Sequence, residues 1–293
     1  MKKILFKGSA TALVTPFEQD GSINFSILSR LVEFQIKAGT QALVILGTTG
    51  ESPTITREER KQIISKVVSQ VNRRIPIIVG TGSNCTSQAI ELTKEAESLG
   101  ADGVLIVTPF YNKTSQNGLI KHYSSISSET NLPIILYNVP SRTGVNIKPE
   151  TYKELSKIDN IVATKEANGD ISSVIETKHL CGNDLNIYSG NDDQTLPMVS
   201  VGAIGVISVF SNIMPYESQQ IAKNSKDAKD LLLKYCDLMS ALFCDVNPIP
   251  VKYALQHLGI DCGTCRLPLC DLSNESKSRI NDILKKYDLK INI

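Results

Sequence analysis

The chain has 293 residues, and 31 Lys and Arg against 30 Asp and Glu leave a formal net charge of +1. Hydrophobic residues make up 41% and charged residues 21%, ordinary for a globular protein with a substantial core. The balanced charge gives no argument for nucleic acid or an anionic membrane as partner, and no apolar run reaches transmembrane length.

Lys2 and Lys3 open the chain as a signal peptide would, but Lys7 interrupts the apolar stretch and no long hydrophobic region follows. A cytoplasmic protein is expected. Eight short β-rich runs then follow: SATALVTPF (9–17), QALVILG (41–47), IPIIVGTG (75–82), GVLIVTPF (103–110), LPIILYNV (132–139), NIVATKEA (160–167), NIYSGN (186–191) and AIGVISVF (203–210). Most are continuously apolar, as expected of parallel strands covered on both faces.

Helical periods separate them. The run 56–74 has Thr56 as N-cap with Glu59 three residues on, and the run 86–102 ends at Gly100, a C′ glycine. Eight βα units spaced roughly thirty residues apart predict an α/β fold, the (β/α)8 TIM barrel. A doubly wound open sheet is the alternative, but no G-x-G-x-x-G follows the first strand. From about Lys226 the strand pattern stops and three helical runs remain. The expected division is a catalytic barrel over 1–225 and a C-terminal helical extension over 226–293.

The seven cysteines are odd in number and scattered, which fits reduced thiols. His257, Cys262, Cys265 and Cys270 could supply four zinc ligands, but only one C-x-x-C pair has the usual spacing. No metal is expected there. His122, His179 and His257 all fall in helical runs or at their ends rather than at strand ends, so no metal is expected at the barrel rim either.

In a parallel barrel the chemistry sits at the C-terminal ends of the strands. The sequence places Gly47-Thr48-Thr49-Gly50-Glu51, Thr108-Pro109-Phe110-Tyr111, Tyr137 to Arg142, Lys165-Glu166 and Ser189 to Asp192 on that rim. Lys165 is the sharpest signal. An ammonium at the end of an apolar strand is costly unless it is paired or gives up its proton. A desolvated, partly deprotonated lysine is a nucleophile toward carbonyls and forms a Schiff base; a structural ion pair with Glu166 or a neighbouring strand is the alternative. Tyr137 has a phenol able to relay protons, or is a core tyrosine. Thr48 and Thr49 can offer hydroxyls and N–H groups to a carboxylate. Arg142 has a fork that matches one. Glu51 is expected to cap the segment after it.

GTTGE, YNVPSRTG, the lysine in VATKEANGD, and YSGNDD followed by GVISV resemble the dihydrodipicolinate synthase family. That family lies within the pyruvate-dependent class I aldolases that also include N-acetylneuraminate lyase. The likeness runs from about residue 6 to RLPL at 266–269 and beyond. It implies condensation of pyruvate with L-aspartate 4-semialdehyde through an imine on Lys165, with no cofactor, because the protonated imine is the electron sink. It also implies a relay of Tyr137, Thr48 and Tyr111, with Tyr111 supplied by the neighbouring subunit of a tight dimer. Thr49 would hold the pyruvate carboxylate and Arg142 that of the semialdehyde, while carbonyls near Gly190 and Ile207 would line the pocket. A homo-oligomer follows, commonly a tetramer built from tight dimers. In lysine-inhibited members the effector sits at the dimer interface. The matching positions here are Ser52, Arg57, Arg60, Asn84, Gln88 and Phe110, and the two arginines would repel a cation. The alternatives are a sugar-acid or sialic-acid aldolase, a non-catalytic keto-acid-binding barrel, and a pyridoxal-phosphate enzyme, for which no phosphate cup is identifiable.

Overall fold

The computed structural model describes residues 2–291. Its strands are β1 (Gly8–Ala12), β2 (Ala42–Ile45), β3 (Ile77–Gly80), β4 (Gly103–Val107), β5 (Ile134–Asn138), β6 (Ile161–Glu166), β7 (Asn186–Ser189) and β8 (Gly205–Ser208). They pair in sequence order, all in parallel, and β8 closes on β1. The fold is the expected TIM barrel. Each strand is shorter than the run read from the sequence, because the apolar and Gly-Thr residues beyond each ladder turn away to form the rim loops.

Alternation sorts the strands into two packing layers. Leu43, Ile45, Ile77, Val79, Val104, Ile106, Ile134 and Leu136 face outward and pack with Leu28, Leu31, Ile63 and Ile64 of the surrounding helices. Ala42, Val44, Ile78, Leu105, Ile135 and Tyr137 face inward and fill the barrel with Tyr188 and Ile207. Tyr188 stacks on Phe6 with ring centroids 4.2 Å apart and donates its hydroxyl to the Phe6 carbonyl at 2.8 Å. The interior is therefore a packed core and not a channel.

The helix Arg57–Val71 opens with the expected capping box, Thr56 and Glu59 each bonding the other's backbone. The helix Thr86–Ser98 ends ahead of Gly100, whose φ of +87° is the left-handed conformation the glycine was read to supply. After the barrel come the helices Ala228–Ala241, Ile249–His257 and Asn274–Lys286. Leu238, Met239, Val251, Leu255, Ile280 and Leu284 join the same apolar layer that covers the strands. Among the described residues no helix is long and apolar enough to cross a membrane.

Candidate active site

Lys165 owes its direction to an irregularity in β6. Ile134 pairs with Ile161, but the next residue, Ile135, pairs with Ala163, so Val162 is an extra residue without a partner in that ladder. The Asn186 side chain donates to the Val162 carbonyl at 2.9 Å and helps hold this bulge. Beyond it the register places Lys165 opposite Tyr137 and Glu166 opposite Asn138. Tyr137 and Lys165 face inward, and Lys165 Nζ lies 4.4 Å from the centroid of the Tyr137 ring. Lys165 is 5% exposed, and among the described residues no carboxylate comes within ion-pairing distance of it. The alternative of a structural pair with Glu166 is set aside by the alternation, since Glu166 points to the helical side of the sheet.

There Glu166 accepts from Asn138 Nδ2 at 2.9 Å, from the Tyr152 hydroxyl at 2.8 Å and from the Asn168 backbone at 2.9 Å. Burial pushes its carboxyl up to about 7, against the downward pull of those bonds. The folded protein keeps this proton up to about 7, whereas the unfolded chain releases it near the ordinary 4.5. Folding stability therefore falls as pH rises from 4.5 to 7. His122, pushed down to about 4 by burial, works with the opposite sign as pH drops below 6.5. Urea midpoints measured across this range should decline less steeply toward neutral pH in Glu166→Gln than in the wild type. The difference isolates Glu166, because His122 is common to both; identical slopes would refute the assignment.

The loop after β2 carries the threonine pair. Leu46 and Glu51 bracket it with φ of 56° and 55°, left-handed values unusual for residues with a Cβ. Gly80 on β3 is required by its approach: a Cβ there would lie 2.1 Å from the Leu46 carbonyl oxygen. Glu51 does not cap the short helix Ser52–Thr54 as expected. Its carboxylate turns inward instead, taking a 2.9 Å bond from Lys252 Nζ and a 3.0 Å bond from the Arg266 backbone. Both side chains of the Glu51–Lys252 pair are almost wholly buried. Lys252 Nζ and the Arg266 guanidinium also lie 4.3 and 4.5 Å from the Phe17 ring centroid. Thr49 is buried, and its Oγ1 accepts from Asn247 Nδ2 at 3.0 Å.

A cavity of about 570 Å³ opens on this rim. Thr48, Tyr137 and Arg142 line it together with Ser52, Arg57, Arg60, Gln88 and Phe110. Arg57, Arg60 and Arg142 against Glu91 give the cavity a positive balance suited to carboxylate ligands. Arg60 is buried and donates to the Gly80 carbonyl at 2.8 Å and to Ser52 Oγ at 3.2 Å. Arg57 is drawn aside by Glu95 at 3.1 Å and Glu91 at 3.6 Å.

A family model described as the dihydrodipicolinate synthetase family matches residues 5–287. The chain belongs to this family. It is 48% identical over 289 residues to the 4-hydroxy-tetrahydrodipicolinate synthase of Clostridium novyi, covering 97% of each chain. Its fold is similar to that of the dihydrodipicolinate synthase from Thermotoga maritima, with a TM-score of 0.94, 42% identity and coverage of 97% and 99%. It is also similar to a DHDPS from Cyanidioschyzon merolae solved with lysine bound, at a TM-score of 0.94, 37% identity and coverage of 98% and 100%.

Not all positions carried over from the dihydrodipicolinate synthetase family meet in the cavity. Lys165 lies behind Tyr137 rather than on the cavity lining. Gly190 backs on to Lys165: a Cβ added there would come within 3.1 Å of Lys165 Cε and 2.7 Å of Ala167 Cβ. Ile207 is fully buried in the barrel interior. Asn84 lies on a separate cleft beside Thr86 and Asn112, whose amide donates to the Asn84 carbonyl at 3.0 Å. Tyr111 is 91% exposed and is held at φ 67°. Asp192, a rim carboxylate, is buried and accepts from the backbone of Val209 and Phe210 at 3.1 and 3.0 Å. Burial pushes its proton affinity up, while Ser208, those two N–H groups and the Lys165 charge pull it down.

Asn247, Lys252 and Arg266 are the contributors to this rim that sequence reasoning missed. Lys252 sits in the helix Ile249–His257, and Asn247 and Arg266 in the irregular segments on either side of it; their partners at Thr49 and Glu51 are about two hundred residues away. The cysteines are all free, and burial pushes the thiols of Cys262 and Cys265 up to about 12. Among the described residues no group of three His, Cys, Asp or Glu side chains could hold a metal ion.

Proposed function

We propose that the chain condenses pyruvate with L-aspartate 4-semialdehyde to 4-hydroxy-tetrahydrodipicolinate, a step of diaminopimelate and lysine synthesis, in the cytoplasm. The observation that carries this reading is the buried, carboxylate-free Lys165 at the end of β6, with its Nζ against the Tyr137 ring at the rim of a positively balanced cavity. The Lys165 amine adds to C2 of pyruvate and water leaves, giving a protonated imine. Loss of a C3 proton forms the enamine, whose C3 bonds to the aldehyde carbon of the semialdehyde. The semialdehyde's amino group then attacks the imine carbon, closes the ring and expels Lys165.

Tyr137 and Thr48 are the proton relay in this scheme, and Tyr111 completes it from the neighbouring subunit of a tight dimer that pairs again into a tetramer. The 91% exposure and left-handed backbone of Tyr111 support a side chain presented outward rather than packed at home. Thr49 holds the pyruvate carboxylate, Arg142 holds that of the semialdehyde, and carbonyls near Gly190 and Ile207 complete the pocket around the imine.

Borohydride reduction in the presence of pyruvate, followed by peptide mass spectrometry, tests the reading. A carboxyethyl group on Lys165 whose yield drops when semialdehyde competes for the enamine is the expected result. An adduct indifferent to the semialdehyde would point to a sugar-acid acceptor. No adduct at all would remove the enzyme reading.

Arg142→Ala should raise the KM for the semialdehyde and lower kcat, while the pyruvate adduct still forms at the wild-type concentration dependence. An equal loss of adduct formation would show that Arg142 serves pyruvate instead. Free lysine should inhibit weakly or not at all. Arg57 and Arg60 both face the cleft where the matching effector positions lie, and a cationic side chain would meet like charge there. Strong inhibition by submillimolar lysine in a steady-state assay would contradict this.

A further inference from the structure

We propose that Asn247 is a positioning residue for the carboxylate of the keto acid, acting through the hydroxyl of Thr49. This rests on the reading of Thr49 as a carboxylate ligand given above. A threonine hydroxyl has one proton to donate and lone pairs that accept. At Thr49 the accepting side is filled by Asn247 Nδ2 at 3.0 Å. The proton is thereby directed elsewhere, and among the hydrogen bonds of the described residues none takes it. Thr49 is only 3% exposed. A buried donor left without an acceptor is costly, so its natural complement is a ligand that only accepts, as a carboxylate does. Thr48, the next residue, already lines the cavity.

The surroundings of Asn247 fit a positioning role. It is 6% exposed, and its Oδ1 has no partner, so the bond to Thr49 is the contact its amide makes. The following helix, Ile249–His257, carries Lys252, which together with the Arg266 N–H fixes Glu51 two residues beyond Thr49. The loop is therefore anchored independently of the Asn247 amide. Removing that amide should change which way the Thr49 proton points without releasing the loop.

The readout is the pyruvate concentration that gives half-maximal borohydride-trapped adduct on Lys165, measured in the full-length protein. Asn247→Asp replaces a donor by an acceptor, so it would draw the Thr49 proton away from the ligand and add a negative charge beside it. A rise of about tenfold or more is expected. Asn247→Ala should give a smaller rise, about threefold, and Thr49→Val one of about tenfold. In the Thr49→Val background, Asn247→Ala should add less than about twofold, because both changes remove one coupled unit.

An unchanged half-saturation in Asn247→Asp would overturn the proposal, because an amide oriented with its oxygen toward Thr49 would be mimicked by the carboxylate. Multiplicative effects of Asn247→Ala and Thr49→Val would overturn it too, since a merely structural role would produce them. If Asn247→Asp does not accumulate as folded protein by circular dichroism, the alanine variant and the double variant decide by the same criterion. A wild-type adduct with unshifted variants defeats this inference alone, whereas absence of any wild-type adduct defeats the proposed function with it.

Discussion

Lys165→Ala is expected to lower kcat by at least roughly a thousandfold and to abolish the borohydride-trapped pyruvate adduct. The reaction divides one difficult carbon–carbon bond formation into imine, enamine and transimination steps, and each passes through the Lys165 nitrogen. No other described amine shares its inward face at the β5–β6 rim, where Tyr137 waits opposite. The fold should survive the change. Lys165 has no carboxylate within ion-pairing distance, so truncation breaks no ion pair, and buried Asp192, which loses the influence of that charge, keeps its bonds from the Val209 and Phe210 N–H groups. A circular dichroism spectrum and urea midpoint close to wild type, together with loss of turnover, would separate chemistry from folding. Retention of even a tenth of wild-type kcat would exclude a covalent route through this residue.

The largest effect on stability is expected at a different lysine. Lys252→Met should cost about 3–5 kcal/mol in urea unfolding, because it leaves the Glu51 carboxylate buried without its cation. The companion variant Glu51→Gln/Lys252→Met should regain most of that loss, since two neutral groups of similar shape carry no uncompensated charge. If the double variant were no more stable than the single one, the loss would lie in the packing of Lys252 against Phe17 and not in the charge. This pair joins the C-terminal helices to the loop that carries Thr48 and Thr49, so its rupture should also raise the KM for pyruvate.

Much of the barrel was legible because parallel strands buried on both faces read as continuous apolar runs, and all eight occur where those runs lie. Their ends were overrun at residues such as Phe17 and Phe110, whose apolar character outlasts the ladder. The placement of rim residues was legible: Thr48, Tyr137 and Lys165 stand at a strand end or in the loop that follows it, and Arg142 in the one-turn helix Pro140–Thr143 after β5. Glu51 was misread as a cap, since capping is judged from neighbours in the chain and its true partner is Lys252. Asn247 was invisible for the same reason. Nor could periodicity reveal the unpaired Val162, because a regular strand and a bulged one share the same string of apolar letters.

The bulge at that residue preserves the parity of β6. Ile161 faces outward, Val162 and Ala163 both face inward, and only after this doubling does Lys165 come round to share the inner face with Tyr137. Val162 and Ala163 share one place in the alternation, so Lys165, four residues on from Ile161, takes the face that a regular strand would reach in three. Ironed flat with all its residues kept, the strand would deliver the lysine to the helices and leave Thr164 facing the tyrosine, whereas excising Val162 itself would leave Lys165 opposite Tyr137. In any lineage or design that keeps this strand, one residue more or fewer ahead of Lys165 preserves the chemistry only where the bulge takes up the difference, even though every letter of the ATKE stretch reads the same.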